Sequence, residues 1–151
     1  MSKHFEDLID NQHLYSITES SCGIEILEML VNFVYKFEIP AGLNFIQYAS
    51  LYTLAKKYGI KELMEQSWDR LSDEVTIDTA CSCIIEAYSI TDVTLNLKRA
   101  IFKYIMQNYE EVSATPSFLN LCDHNNVVKD LMQFMYEIII ELKRRASRNT
   151  L

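Results

Sequence analysis

The residues in this chain with the chemistry for a metal site or a nucleophile are Cys22, Cys81, Cys83, Cys122, His4, His13 and His124. Zinc sites usually pair their ligands with about two to four residues between them. Cys81 and Cys83 stand two apart in a stretch of helical periodicity, so their side chains diverge. Cys122 and His124 form one ligand pair with no evident second. The run Cys122, Asp123, His124 holds the residue types of a thiol, base and orienting acid, but that chemistry needs the groups folded around a common atom, not strung along one turn. With Asn125 and Asn126 the run reads better as a polar turn that caps the next helix. The expectation is reduced, mostly buried thiols, no metal, no cofactor and no catalytic centre.

The elements around these residues are helical. The chain has 151 residues, 49% apolar and 23% charged, which suits one globular domain with a sizeable core. Three glycines and two prolines leave no glycine-rich phosphate loop and few hairpin turns. "SKHFEDLID" reads as a short helix with Phe5, Leu8 and Ile9 on one side, and "HLYSITE" as one short strand. Helical stripes follow: Ile24, Leu27, Leu30, Val31, Val34 and Tyr35; then Ile46, Ala49, Leu51, Leu54, Ala55 and Tyr58. Beyond Gly59, suited to a left-handed helix end, come Ile60, Leu63, Met64, Ser67, Trp68 and Leu71.

Thr76 is the expected cap of a helix burying Ala80, Cys83, Ile84, Ala87 and Tyr88, and Thr91 or Asp92 of one carrying Leu95, Leu97, Ile101, Phe102, Ile105 and Met106. Thr115 and Pro116 open a short helix. The last helix, 126–146, carries a seam of Val128, Leu131, Met135, Ile138 and Leu142.

The net charge of −7 is uneven. Up to residue 142 there are 21 acidic and 10 basic residues, a formal −11, and Lys143, Arg144, Arg145 and Arg148 follow. An acidic body argues against nucleic acid, whose binders neutralise phosphates. The basic tip complements the C-terminal end of its own helix. Its pattern also matches a basophilic-kinase site at Ser147 and a short nuclear-import patch. The start of the chain lacks the apolar core of a secretory signal, and "FMYEIIIEL" is too short and too charged to span a bilayer. Cytosol or nucleus is the expected compartment, with no membrane partner.

"FVYKFEI…LYTLAKKYGIKELMEQSWDRL" resembles the second half of a BTB/POZ domain. Phe33, Val34 and Tyr35 match an aromatic-x-Tyr motif that ends a helix, and Leu51, Ala55, Tyr58, Ile60, Leu63 and Leu71 match the two tightly joined helices after it. Ser67 stands where that family usually has cysteine, and Lys36 and Phe37 stand for its Thr-Gly. "VTIDTACSCIIEAY", "LNLKRAIFKYIMQNYEEV" and "TPSFLNLCDHNNVVKDLMQFM" are similar to the following helices and to the helical pair appended in cullin-binding members.

The resemblance implies a mainly α fold of antiparallel helical hairpins with one short strand near the N-terminus. It would be a BTB/POZ-like domain without the N-terminal hairpin and first helix. The divisions would be a partial BTB/POZ domain at 1–110, a helical extension at 111–146 and a basic tail at 147–151. It further implies a protein–protein interaction module: an adaptor for a cullin-based ubiquitin ligase, or alternatively a self-associating scaffold with no ligase role. The implied partners are a cullin scaffold, a substrate and a second copy in a homodimer. "LIDNQ" replaces the family's hydrophobic-x-Glu motif, so cullin recognition would fall on the later helices, 109–121 and 126–135. The aromatic residues Tyr15, Phe37, Phe45, Tyr48, Tyr104, Tyr109 and Phe118 exceed what a core of this size must hide. Phe5, Leu8, Tyr48, Tyr52, Tyr109 and Phe118 are the expected partner-binding residues.

Overall fold

Helix boundaries in this chain follow local capping chemistry, and the capping residues differ in part from those the sequence suggests. A computed structural model describes residues 23–90 and 92–149. The expected helix at residues 2–10 and the strand at 13–19 lie outside these residues, as do Phe5, Leu8, His4, His13 and Cys22. Among the described residues there are eight helices and no strand. They belong to two compact units, one running to Asp69 and the other from Arg70. The expected boundary at 110 thus falls inside the second unit.

In the first unit, α1 (Ile24–Lys36) buries Ile26, Leu30 and Phe33, spaced by four and three. The seam is rotated from the expected one: Ile24, Val31 and Tyr35 are exposed, and Tyr35 keeps 75% of its surface. The helix ends on Phe37, whose φ of 54° is left-handed and whose N–H donates to the Phe33 carbonyl at 2.7 Å. A non-glycine residue there is uncommon and strained. Two contacts offset the strain: the Phe37 ring meets Phe33 edge-on at 6.1 Å, and Gln66 Nε2 donates to the Phe37 carbonyl at 3.1 Å.

Helix α2 (Phe45–Tyr58) opens with a reciprocal capping box. The Asn44 side chain accepts from the Gln47 N–H at 2.9 Å, and the Gln47 side chain accepts from the Asn44 N–H at 3.0 Å. It is buried on most sides, through Phe45, Tyr48, Ala49, Leu51, Tyr52, Leu54 and Ala55, while Ile46 is partly exposed. Gly59 closes it at φ 69°, and the Ile60 N–H reaches back to the Ala55 carbonyl at 2.9 Å. A Cβ at Gly59 would meet nothing within 4 Å among the described residues, so glycine is needed there for its backbone and not for space. Helix α3 (Lys61–Glu74) starts at once, and Leu63 joins Leu51, Leu54, Ala55 and the α1 seam in one apolar cluster.

In the second unit, Thr76 does not cap the next helix with its side chain. Thr79 Oγ1 donates to the Glu74 carbonyl at 2.6 Å and accepts the Thr76 N–H at 2.9 Å, while the Thr76 carbonyl accepts the Ala80 N–H. The result is a tight turn before α4 (Ala80–Ser89), whose inner face is small: Ala80, Cys81, Cys83, Ile84 and Ala87. Small side chains let α5 (Leu95–Gln107), α7 (Pro116–Cys122) and α8 (Asn125–Asn149) pack onto it. The cap of α5 is Thr94, which accepts the Leu97 N–H at 3.3 Å, and not Thr91 or Asp92; Leu95 is 62% exposed. The short α6 (Tyr109–Ser113) buries Val112. Thr115 precedes α7 as expected, but its hydroxyl donates back to Val112, and Ser117 Oγ ties α7 to the Asp78 carbonyl at 3.0 Å. Among the described residues no helix is long and apolar enough to cross a membrane.

Candidate functional site

Helix α8 carries the features of the second unit that a partner could read. Its inner seam is Val127, Leu131 and Phe134, with Ile138 half-buried. The Phe134 ring packs against Phe102 of α5 at 5.9 Å. Of the expected seam of Val128, Leu131, Met135, Ile138 and Leu142, Leu131 is buried, Val128, Met135 and Ile138 are half-buried, and Leu142 is 59% exposed.

Where α4, α5 and α8 meet there is a cleft of about 170 Å³, lined by Tyr88, Leu95, Lys98, Arg99, Phe102, Asp130, Gln133, Phe134 and Glu137. Its polar groups are matched in pairs. The Tyr88 hydroxyl donates to the Asp130 carboxylate, and the Lys98 ammonium sits 4.0 Å above the Tyr88 ring. Arg99 bonds Glu137 at 2.8 Å. Burial, then the Asp130 hydrogen bond and negative charge, pushes the Tyr88 hydroxyl well above its ordinary pKa. It therefore stays protonated and holds α4 to α8 as a donor, which is the opposite of an activated nucleophile.

The thiols behave similarly. Cys81 and Cys83 are buried. Burial raises the Cys83 pKa to about 11, against a smaller lowering by Thr79, and raises that of Cys81. Cys122 is exposed, with its thiol 3.6 Å from the Phe118 carbonyl. Backbone bonds shape the adjoining turn: the His124 N–H donates to Leu121, and its carbonyl accepts the Val128 N–H, both at 3.0 Å.

The expected partner-binding residues do not gather in one place. Phe5 and Leu8 lie outside the described residues. Tyr48 and Tyr52 are core residues, 4% and 7% exposed, and the Tyr52 ring lies against Trp68 at 5.1 Å; these two are corrected from surface to interior. Tyr109 and Phe118 do meet, edge to face at 5.9 Å, with Tyr109 47% exposed and Phe118 half-buried. They form an aromatic step between α6 and α7.

The stripe that sequence reasoning missed is on α8: Met132, Tyr136, Ile139 and Leu142 are 64, 60, 47 and 59% exposed. Its signal was present in the run Ile138, Ile139, Ile140, since three successive residues span about 200° of a helix and cannot all face one core. No protein-family profile, curated protein or solved structure matches the chain.

Proposed function

We propose that the chain is a protein-interaction module of BTB/POZ type that serves as an adaptor for a cullin-based ubiquitin ligase in the cytosol or nucleus. The observation that carries this reading is Phe37. It stands where the resembled motif has glycine, and it holds the left-handed conformation, φ 54°, that glycine adopts at low cost. A left-handed residue at the end of α1 supports the match to a motif that has glycine there. Two further positions support it. Gly59 makes the tight elbow between α2 and α3, and Ser67, fully buried, occupies the resembled family's cysteine position.

The docking chemistry would be apolar. A cullin helix would lay its hydrophobic face on the aromatic step of Tyr109 and Phe118 and on the beginning of α8. Purified cullin immobilised on beads tests this: retention of the chain at micromolar concentration is expected, with loss on Tyr109→Glu or Phe118→Glu. Absence of retention, with circular dichroism showing an intact fold, would remove the adaptor reading. A self-associating scaffold would instead show a mass that rises with concentration in light scattering and no retention by cullin.

A further inference from the structure

We infer that the outer face of α8 is a docking surface for an amphipathic helix with acidic flanks, supplied by another protein. The inference is independent of the adaptor reading, because it concerns a different face from the aromatic step. At about 100° per residue, Met132, Tyr136, Ile139 and Leu142 centre roughly 120° around the helix from the seam of Val127, Leu131 and Phe134. The helix is therefore apolar on two faces, of which its own unit covers one. Beyond it, every side chain from Glu141 to Arg148 is exposed.

Charge identifies the occupant. The cations beside the stripe are Lys129 and Lys143, which share its side of the helix; Arg144, Arg145 and Arg148 are turned roughly 120° or more away from it. The acids of α8 are turned elsewhere: Asp130 accepts from Tyr88, Glu137 bonds Arg99, and Glu141 bonds Arg145 at 3.0 Å. The exposed face is thus apolar, and the charges on its margin are the two lysines. Its complement is an amphipathic helix that carries glutamate or aspartate beside its apolar residues. A second copy of α8 would bring more lysine and no facing acid. An anionic membrane would face far more of the acidic chain, net charge −7, than a single peptide helix does, and so is repelled more strongly.

The test uses the intact chain and two synthetic amphipathic peptides of about five turns with identical leucine faces, one flanked by glutamate and one by lysine. In fluorescence anisotropy the glutamate peptide is expected to bind with a dissociation constant on the order of 10 µM. Ile139→Glu and Tyr136→Ala, both at exposed positions, should each weaken it about tenfold or more. The double reversal Lys129→Glu, Lys143→Glu should exchange the preference between the two peptides. Equal binding of both peptides, no binding, or binding indifferent to Ile139→Glu overturns the proposal. So does a dimer in light scattering that Ile139→Glu dissolves, which would make a second copy the occupant. Tighter association with phosphatidylserine vesicles than with the glutamate peptide would make it a lipid surface.

Discussion

Ser67 offers a quantitative check on the packing of α3. Its side chain is fully buried, and its Oγ has no hydrogen-bond partner among the described residues. A buried hydroxyl without a partner costs about 1–3 kcal/mol, because its bonds to water are lost and nothing replaces them. Ser67→Ala removes that group, forfeits the contacts of a single atom and adds a few tenths of a kcal/mol of helix propensity. The expected gain is about 1–2 kcal/mol, which in a chain of this size raises the melting temperature by roughly 2–8 °C. Ser67→Cys should also stabilise, by less, since a thiol is a weak hydrogen-bond former that behaves as a small apolar group. Ser67→Thr adds a methyl group to a closed site and should destabilise. Urea titration with a shared slope gives the differences directly. Destabilisation by Ser67→Ala of about 1 kcal/mol or more would show that the hydroxyl makes a favourable bond, and would refute the reasoning.

Three further outcomes follow from the geometry. Gly59→Ala should cost about 1–2 kcal/mol in urea titration, all of it conformational, since φ is 69° and the space for a Cβ is empty. At Phe37, substitution by valine should be at least about 1 kcal/mol worse than substitution by glycine, because a β-branched residue tolerates φ 54° poorly. Cys83 sets an alkaline limit: its folded pKa, about 11, lies above its ordinary value of 9.0. The neutral thiol's contribution is therefore complete below pH 9.0 and is lost as pH rises towards about 11. Thermal melts across that window should fall less steeply in Cys83→Ala than in the parent chain.

How much of this was legible in the sequence depended on whether the signal was local. The Gly59 elbow and the inner face of Leu63, Ser67 and Leu71 follow from a helix stop and a 3.6-residue period, and both are found. So are the Ala80, Cys83, Ile84 and Ala87 face and the start of α7 at Pro116. The α1 seam was misplaced because Ile24, Ile26, Leu27, Leu30, Val31, Phe33 and Val34 offer overlapping stripes, and only packing against α2 selects Ile26, Leu30 and Phe33. Thr76, Thr79, Thr91 and Thr94 present similar capping chemistry, so composition alone could not choose between them. Tyr48 and Tyr52 are expected at a partner-binding surface because the chain's aromatics exceed what its core must hide, yet α2 is enclosed on most sides and buries both. Of the exposed stripe of α8, Leu142 falls in the expected seam, while Met132, Tyr136 and Ile139 lie outside it.

Hydrogen–deuterium exchange of the chain with and without purified cullin tests the adaptor reading most directly, since it reports both binding and place. Slower exchange across residues 109–135, with α1 and α2 unchanged, is the result expected. Identical exchange throughout at saturating cullin would contradict it.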